Sequence, residues 1–220
     1  MGCGNEYRLG VLGGSFNPVH NAHLAMARAA MEAFGLERVL FLPTGNPPHK
    51  RAGLADKRHR LRMVELAVDG HPGFAVADLE VRREGTTYTV DTLRILRARW
   101  PGASLWYIVG ADTLLELHTW REIDAVLALC SFVVCTRPGW QEEAVGDCAS
   151  RLRERGAVIH LLNMPGIDIS STVIRRSLEE GERTSEGLVP PAVWGYLREH
   201  RLYSPVPLGE MLPSSGSPAT

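Results

Sequence analysis

Apolar runs of strand length recur along the chain at residues 8–13, 37–42, 74–79, 104–109, 131–135 and 157–162. Between them the apolar positions change period. Leu24, Ala27, Met31 and Phe34 step by 3, 4 and 3; Leu61, Val64 and Val68 by 3 and 4; Val90, Leu93, Leu96 and Trp100 by 3, 3 and 4. Steps of three and four keep side chains on one helix face, whereas the continuous β-branched runs suit strands buried on both faces. The alternation predicts an α/β fold: a doubly wound parallel sheet with helices on both faces and right-handed crossovers. Residues 56–70 read as a helix with a solvated basic first half, and 190–203 as a last helix with proline at its start. No repeat or internal linker divides the chain. One domain is expected over 1–203, followed by a flexible tail, 204–220, rich in Pro, Gly and Ser.

Composition narrows the class. The 220 residues, 45% hydrophobic, suffice for one full-sized core. With a formal net charge of -1, nothing suggests a general binder of nucleic acid or of an anionic membrane. The longest apolar run, 125–135, is too short to span a bilayer, and no signal peptide precedes Tyr7. A cytoplasmic protein is expected. The four cysteines show no paired spacing and read as idle thiols in a reducing compartment.

The chemistry gathers where strands give way to helices. At 13–25, GGSFNPVHNAHLA, Gly13 and Gly14 end an apolar run just before a helical segment. In an open parallel sheet, ligands bind beyond the carboxyl ends of the strands near the reversal of strand order. The glycine pair serves either turn shape or the close approach of a phosphate to backbone, and by itself leaves both readings open. His20 and His23 flank the helix entrance, where imidazoles can donate to phosphate oxygens. A zinc site needs further ligands, and the sequence offers no obvious neighbour. Later, ISSTVIRRSL at 169–178 puts Ser170, Ser171 and Thr172 at a helix start with Arg175 one turn in. That pattern fits an ordinary capped helix or a second anion-binding terminus. The loop PTGNPPHKR at 43–51 carries Lys50.

These segments resemble a known family. GGSFNPVHNAH is similar to the GxFxPxHxGH signature of the nucleotidyltransferase superfamily, and ISSTVIR to its ISSTxIR partner. GNPPHK, YIVGADTL, TWRE and TRPG, in that order, resemble the bacterial nicotinate mononucleotide adenylyltransferases, over roughly residues 8–203. Asn17 stands where the superfamily often has Asp, and Ala22 where it usually has Gly. The resemblance implies a Rossmann-like fold and the reaction of ATP with nicotinate mononucleotide to deamido-NAD and pyrophosphate, by direct in-line attack without a covalent intermediate. It implies His20, His23, Lys50 and Arg175 as the catalytic cations and donors. An ATP site would be completed by Gly13, Gly14, Ser15, Phe16, Gly110, Asp112, Ile169, Ser170, Ser171 and Thr172. The mononucleotide would meet Asn17, Lys50, Thr86, Thr87, Tyr88, Trp120 and Arg137. Mg²⁺ would arrive with ATP, with no protein metal site, and the chain would act as a monomer or homodimer.

Residue chemistry agrees with that implication. A phosphate monoester has its second pKa near about 6 and needs no general base at neutral pH. The task is to bring polyanions together and stabilise the leaving pyrophosphate, which calls for donors and cations. Helix-start N–H groups near residues 86–88 suit a carboxylate, and Trp120 offers a face to a pyridinium ring. Pantetheine-phosphate adenylyltransferases and cytidylyltransferases share the first motif but not the ordered PPHK, GAD and TWRE segments. The chain lacks the signature loop and tRNA-binding domain of an aminoacyl-tRNA synthetase. A purely nucleotide-sensing module would not need the full set of histidines and cations.

Overall fold

The computed structural model describes residues 7–47, 53–137, 139, 141–164 and 169–204. Six parallel strands run β1 (Tyr7–Gly14), β2 (Arg38–Pro43), β3 (Phe74–Val76), β4 (Ala103–Gly110), β5 (Ser131–Thr136) and β6 (Ile159–Asn163), in the order β3-β2-β1-β4-β5-β6. This is the doubly wound α/β order, with its reversal between β1 and β4. The helices are α1 (Asn21–Phe34), α2 (Lys57–Val68), α3 (Leu79–Arg82), α4 (Thr89–Arg99), α5 (Ala111–Glu116), α6 (Ile123–Leu129), α7 (Glu142–Glu154), α8 (Ser171–Glu179) and α9 (Pro191–Glu199). No helix among the described residues is long and apolar enough to cross a membrane.

Strict alternation along the central strands builds two cores. Leu9, Val11, Leu105, Tyr107, Phe132 and Val134 face α4, α6 and α7. Leu12, Ile108 and Val133 face α1, α2, α8 and α9. Both faces are buried, which is why the strands read as continuous apolar runs. Helix α1 ends where Gly35 takes the left-handed conformation, φ 60°, that glycine adopts without a Cβ penalty. Asp56 caps α2 by accepting the Arg58 N–H, and Pro191 opens α9.

Two expectations are corrected. The strand predicted at 74–79 stops at Val76, and the chain then turns into α3, where Asp78 pairs with Arg82 and Glu80 and Val81 are buried. The basic first half of α2 is not wholly solvated: Arg60 is 1% exposed. The tail predicted as flexible lies, beyond Ser204, outside the described residues.

Gly13 has a structural reason to be glycine. A Cβ there would lie 2.1 Å from the hydroxyl of Tyr107, which is itself buried on the neighbouring strand. Gly13→Ala should therefore destabilise the protein by about 1–3 kcal/mol, because the Tyr107 ring has to shift from its packed position to admit the methyl group. Tyr107→Phe, which removes the clashing oxygen, should recover part of that loss. Urea unfolding of the two single variants and the double variant measures the coupling; strictly additive effects would contradict the contact.

Candidate active site

A cleft of about 1050 Å³ opens at the carboxyl ends of β1 and β4. One wall is Gly13, Gly14 and Ser15 with the first turn of α1. The facing wall is Gly110 and Asp112 at the start of α5, and Ile169, Ser170 and Ser171 close a third side. At the other end lie Thr87, Tyr88 and Thr89 at the start of α4, with Tyr107 and Trp120.

His20 occupies the N-cap position of α1, and His23 follows one turn later, so their rings stack with centroids 3.7 Å apart. The His20 backbone N–H donates to His23 Nδ1 at 3.2 Å. A backbone N–H can only donate, so Nδ1 is the acceptor and, in the neutral ring, the proton sits on Nε2. Phe16 meets the His23 ring edge-on at 4.9 Å. Burial holds the His20 pKa down at about 4, and burial and the adjacent His20 push His23 well below the ordinary histidine value. Both rings are thus neutral hydrogen-bonding groups at neutral pH. His20 Nδ1 is buried without a hydrogen-bond partner among the described residues.

The turn between β1 and α1 is stitched from outside. Arg60 donates to the Ser15 carbonyl at 2.8 Å, Arg175 to the Asn17 carbonyl at 2.9 Å, and the Ser171 hydroxyl to the Pro18 carbonyl at 2.9 Å. A loop that receives an anion has to keep its carbonyl oxygens otherwise engaged, and here three of them are. Ser170 Oγ caps α8 by accepting the Val173 N–H. Gly110 leaves room for Asp112, whose carboxylate oxygen would lie 2.5 Å from a Cβ at that position.

Most residues singled out from the sequence line this one cleft: Gly13, Gly14, Ser15, His20, His23, Gly110, Asp112, Ile169, Ser170, Ser171, Thr87, Tyr88, Trp120 and Arg137. Others fall elsewhere. Asn17 is buried, and its amide is used internally: Nδ2 donates to the Gly53 carbonyl, and Oδ1 accepts from the Ala55 N–H and the Tyr203 hydroxyl. It holds loops in place where contact with the mononucleotide was expected. Phe16 is a core residue at φ 45° supporting His23. Arg175 lies behind the turn, on the Asn17 carbonyl and the Thr172 hydroxyl, and neither it nor Thr172 lines the cleft. Thr86 is exposed beside the opening. Lys50 lies outside the described residues.

Sequence reasoning missed Glu80, Tyr107, Thr89 and Thr44, which also line the cleft. Glu80 reads as one more charge in a run of them. In the fold it is buried, accepting the Thr92 hydroxyl at 2.8 Å and the Gly45 N–H at 3.3 Å. Tyr107 sits inside an apolar strand run, and its contact with Gly13 arises only from the pairing of β1 with β4.

The buried imidazoles give the unliganded protein a defined acid response. The His20 pKa falls from 6.5 unfolded to about 4 folded, so the unfolded chain binds the extra proton between those values. The corresponding stability is fully present above about pH 6.5 and is lost progressively as pH falls toward 4, on the order of 3 kcal/mol for one such group. His23 adds to the loss in the same direction. Urea midpoints measured from pH 7.5 to 4.5 should fall steeply for the wild type and less steeply for His20→Gln. Parallel curves would contradict a neutral, buried His20.

The cytidylyltransferase-like family model matches residues 11–177. A probable nicotinate-nucleotide adenylyltransferase of Synechococcus sp. (strain JA-3-3Ab) is 42% identical over 201 residues, covering 90% of this chain and 95% of the relative. One from Citrifermentans bemidjiense is 42% identical over 212 residues, covering 89% and 98%. Among solved structures, Plasmodium falciparum nicotinic acid mononucleotide adenylyltransferase complexed with NaAD aligns at a TM-score of 0.75 over 90% of this chain and 97% of that one. At 19% identity, that likeness is one of fold. With relatives this similar matched over nearly their whole length, the chain belongs to the nicotinate-nucleotide adenylyltransferase family of cytidylyltransferase-like nucleotidyltransferases.

Proposed function

We propose that the protein transfers the adenylyl group of ATP to nicotinate mononucleotide, forming deamido-NAD and pyrophosphate in NAD biosynthesis. The observation that carries this reading is one continuous cleft. At one end it has the stacked, neutral His20–His23 pair beside the start of α1, and at the other the start of α4 beside Trp120. Two anionic substrates need such donors at one end, and a pyridinium carboxylate needs such a pocket at the other.

The mononucleotide 5′-phosphate is mostly a dianion at neutral pH and attacks the α-phosphorus of ATP in line. A bond forms from its oxygen to the α-phosphorus. The bond to the α,β-bridging oxygen breaks, and its electron pair leaves with pyrophosphate. No general base and no covalent enzyme intermediate are required. His23 Nε2–H and His20 donate to phosphate oxygens as charge develops, and the starts of α1 and α8 add free N–H groups and the positive ends of their dipoles. Neutral donors suit the task because their placement is set before the reaction by stacking and backbone bonds. Lys50 and Arg137 supply positive charge to the phosphates. Magnesium enters as part of the substrate, MgATP, coordinated by phosphate oxygens and water. As a consumer of ATP the enzyme acts in the cytoplasm.

At the other end, the Thr87 N–H is already given to the Asn46 carbonyl at 2.9 Å. The next N–H groups, those at the start of α4, receive the nicotinate carboxylate. Trp120, braced edge-on by Tyr107 at 5.8 Å, stacks on the ring.

Pyrophosphate release from ATP should require the mononucleotide, and nicotinate mononucleotide should be strongly preferred. A carboxylate only accepts hydrogen bonds, whereas the nicotinamide NH₂ would face the N–H donors at the start of α4, a mismatch worth on the order of 10⁴-fold. Trp120→Ala should weaken both substrates and leave their ratio nearly unchanged. Equal kcat/KM for the two mononucleotides would refute the pocket assignment.

His23→Ala should lower kcat by roughly 10²–10³-fold with little change in KM, as expected on losing a donor that acts mainly in the transition state. A variant within a few-fold of wild type would reject that role.

A further inference from the structure

Arg60 projects from the first turn of α2 and is 1% exposed. Its planar guanidinium is spread over three backbone carbonyls: Nε donates to Ala55 at 3.0 Å, Nη1 to Ser15 at 2.8 Å and Nη2 to Gly45 at 3.1 Å. Ser15 belongs to the turn after β1, at the phosphate end of the cleft. Gly45 belongs to the loop after β2 and leads to the other end. It is gripped from its far side as well. Its N–H donates to the Glu80 carboxylate at 3.3 Å, and a Cβ on it would lie 2.1 Å from the Glu80 backbone oxygen. The next residue, Asn46, accepts the Thr87 N–H through its carbonyl and donates through its side chain to the Gly85 carbonyl at 3.1 Å. Glu80 also holds the Thr92 hydroxyl within α4 at 2.8 Å. A connected path of hydrogen bonds therefore runs from the phosphate turn through Arg60, Gly45 and Asn46 to the start of α4.

We propose that Arg60 is a positioning residue: its guanidinium fork sets the separation between the phosphate turn and the mononucleotide pocket, and so the alignment of the two substrates. This rests on the adenylyl-transfer reading above. In an in-line displacement the attacking oxygen has to approach the α-phosphorus opposite the leaving oxygen, and a misplacement of about 1 Å costs on the order of 10²-fold in rate. Each half of the cleft keeps its own contacts if the fork is lost. What changes is the placement of one half against the other. Lysine cannot replace the fork, because a single ammonium centre does not span three carbonyls spread along a planar guanidinium.

The test is Arg60→Lys, which keeps the charge and removes the fork. Thermal melting establishes that the variant is folded. Calorimetric titration with a non-hydrolysable ATP analogue, and separately with nicotinate mononucleotide, measures each half alone, and single-turnover kinetics measures the chemical step. The expected result is affinity for each ligand within about threefold of wild type and a chemical step slower by about 10²-fold. A chemical step within threefold of wild type overturns the proposal. So does a loss of binding to each ligand that accounts for the whole loss of activity, since Arg60 would then only support the pockets. If Arg60→Lys does not fold, Asn46→Ala breaks the next link of the same path, the side-chain bond to the Gly85 carbonyl, at a residue outside the cleft lining. It should slow the step by about tenfold without changing either affinity, and an unchanged step overturns the proposal equally. Wild type that releases no pyrophosphate with this substrate pair would instead bring down the functional reading itself, and the positioning role with it.

Discussion

A parallel strand can be followed by its neighbour only through a crossover over one face of the sheet, and here the crossovers depart in opposite directions from β1 and β4. That divergence leaves the carboxyl ends of the two central strands uncovered while both their faces are buried. The cleft follows from it. Close approach of backbone at that opening then depends on two glycines. Gly13 makes room for the Tyr107 hydroxyl, and Gly110 for the Asp112 carboxylate. The floor of the cleft is backbone, and the functional side chains stand on the first turns of the helices that leave it.

Placement next to backbone sets the electrostatics. A turn presents carbonyl oxygens as well as N–H groups, and carbonyls repel phosphate. In the turn after β1 those of Ser15, Asn17 and Pro18 are bound from outside by Arg60, Arg175 and Ser171. These two arginines therefore act at one remove from the cleft. Arg60 and Arg175 bring positive charge behind the turn while satisfying its acceptors. The imidazoles in front stay neutral because burial opposes their protonation. Positive charge behind and neutral donors in front would suit a polyanion without leaving an unpaired buried cation beside the imidazoles.

The fold and the broad site were legible because both rest on local patterns. The period changes mark strands and helices, and the glycine pair, the two histidines and the serine-rich helix start are contiguous in sequence. What was not legible depends on contacts between distant segments. Arg60 lies in KRHR, where every basic residue looks solvated, and only the approach of residues 15, 45 and 55 gives it three carbonyls. Glu80 is buried because α3 begins where a strand was expected to continue. Asn17 lies within the signature itself, yet its amide is taken up by Gly53, Ala55 and Tyr203, residues no local pattern pairs with it. Arg175 has the right spacing for a phosphate ligand, and the chain fold turns it onto a carbonyl.

The same long-range contacts explain why the last helices belong to the catalytic domain and are not an appendage. Ser171 and Arg175 bond to Pro18 and Asn17, Asn21 at the start of α1 donates to the Gly187 carbonyl, and the Tyr203 hydroxyl donates to Asn17. Each of these contacts spans more than 150 residues of chain. Strand β1 can pair with its neighbours as soon as β2 and β4 are made. The turn that follows it acquires its full set of donors only when residues 171–203 have packed behind it. Order in the turn after β1 is therefore a property of the whole domain, tied by these bonds to α8 and α9, whereas the floor of the cleft is held by strand pairing within the sheet.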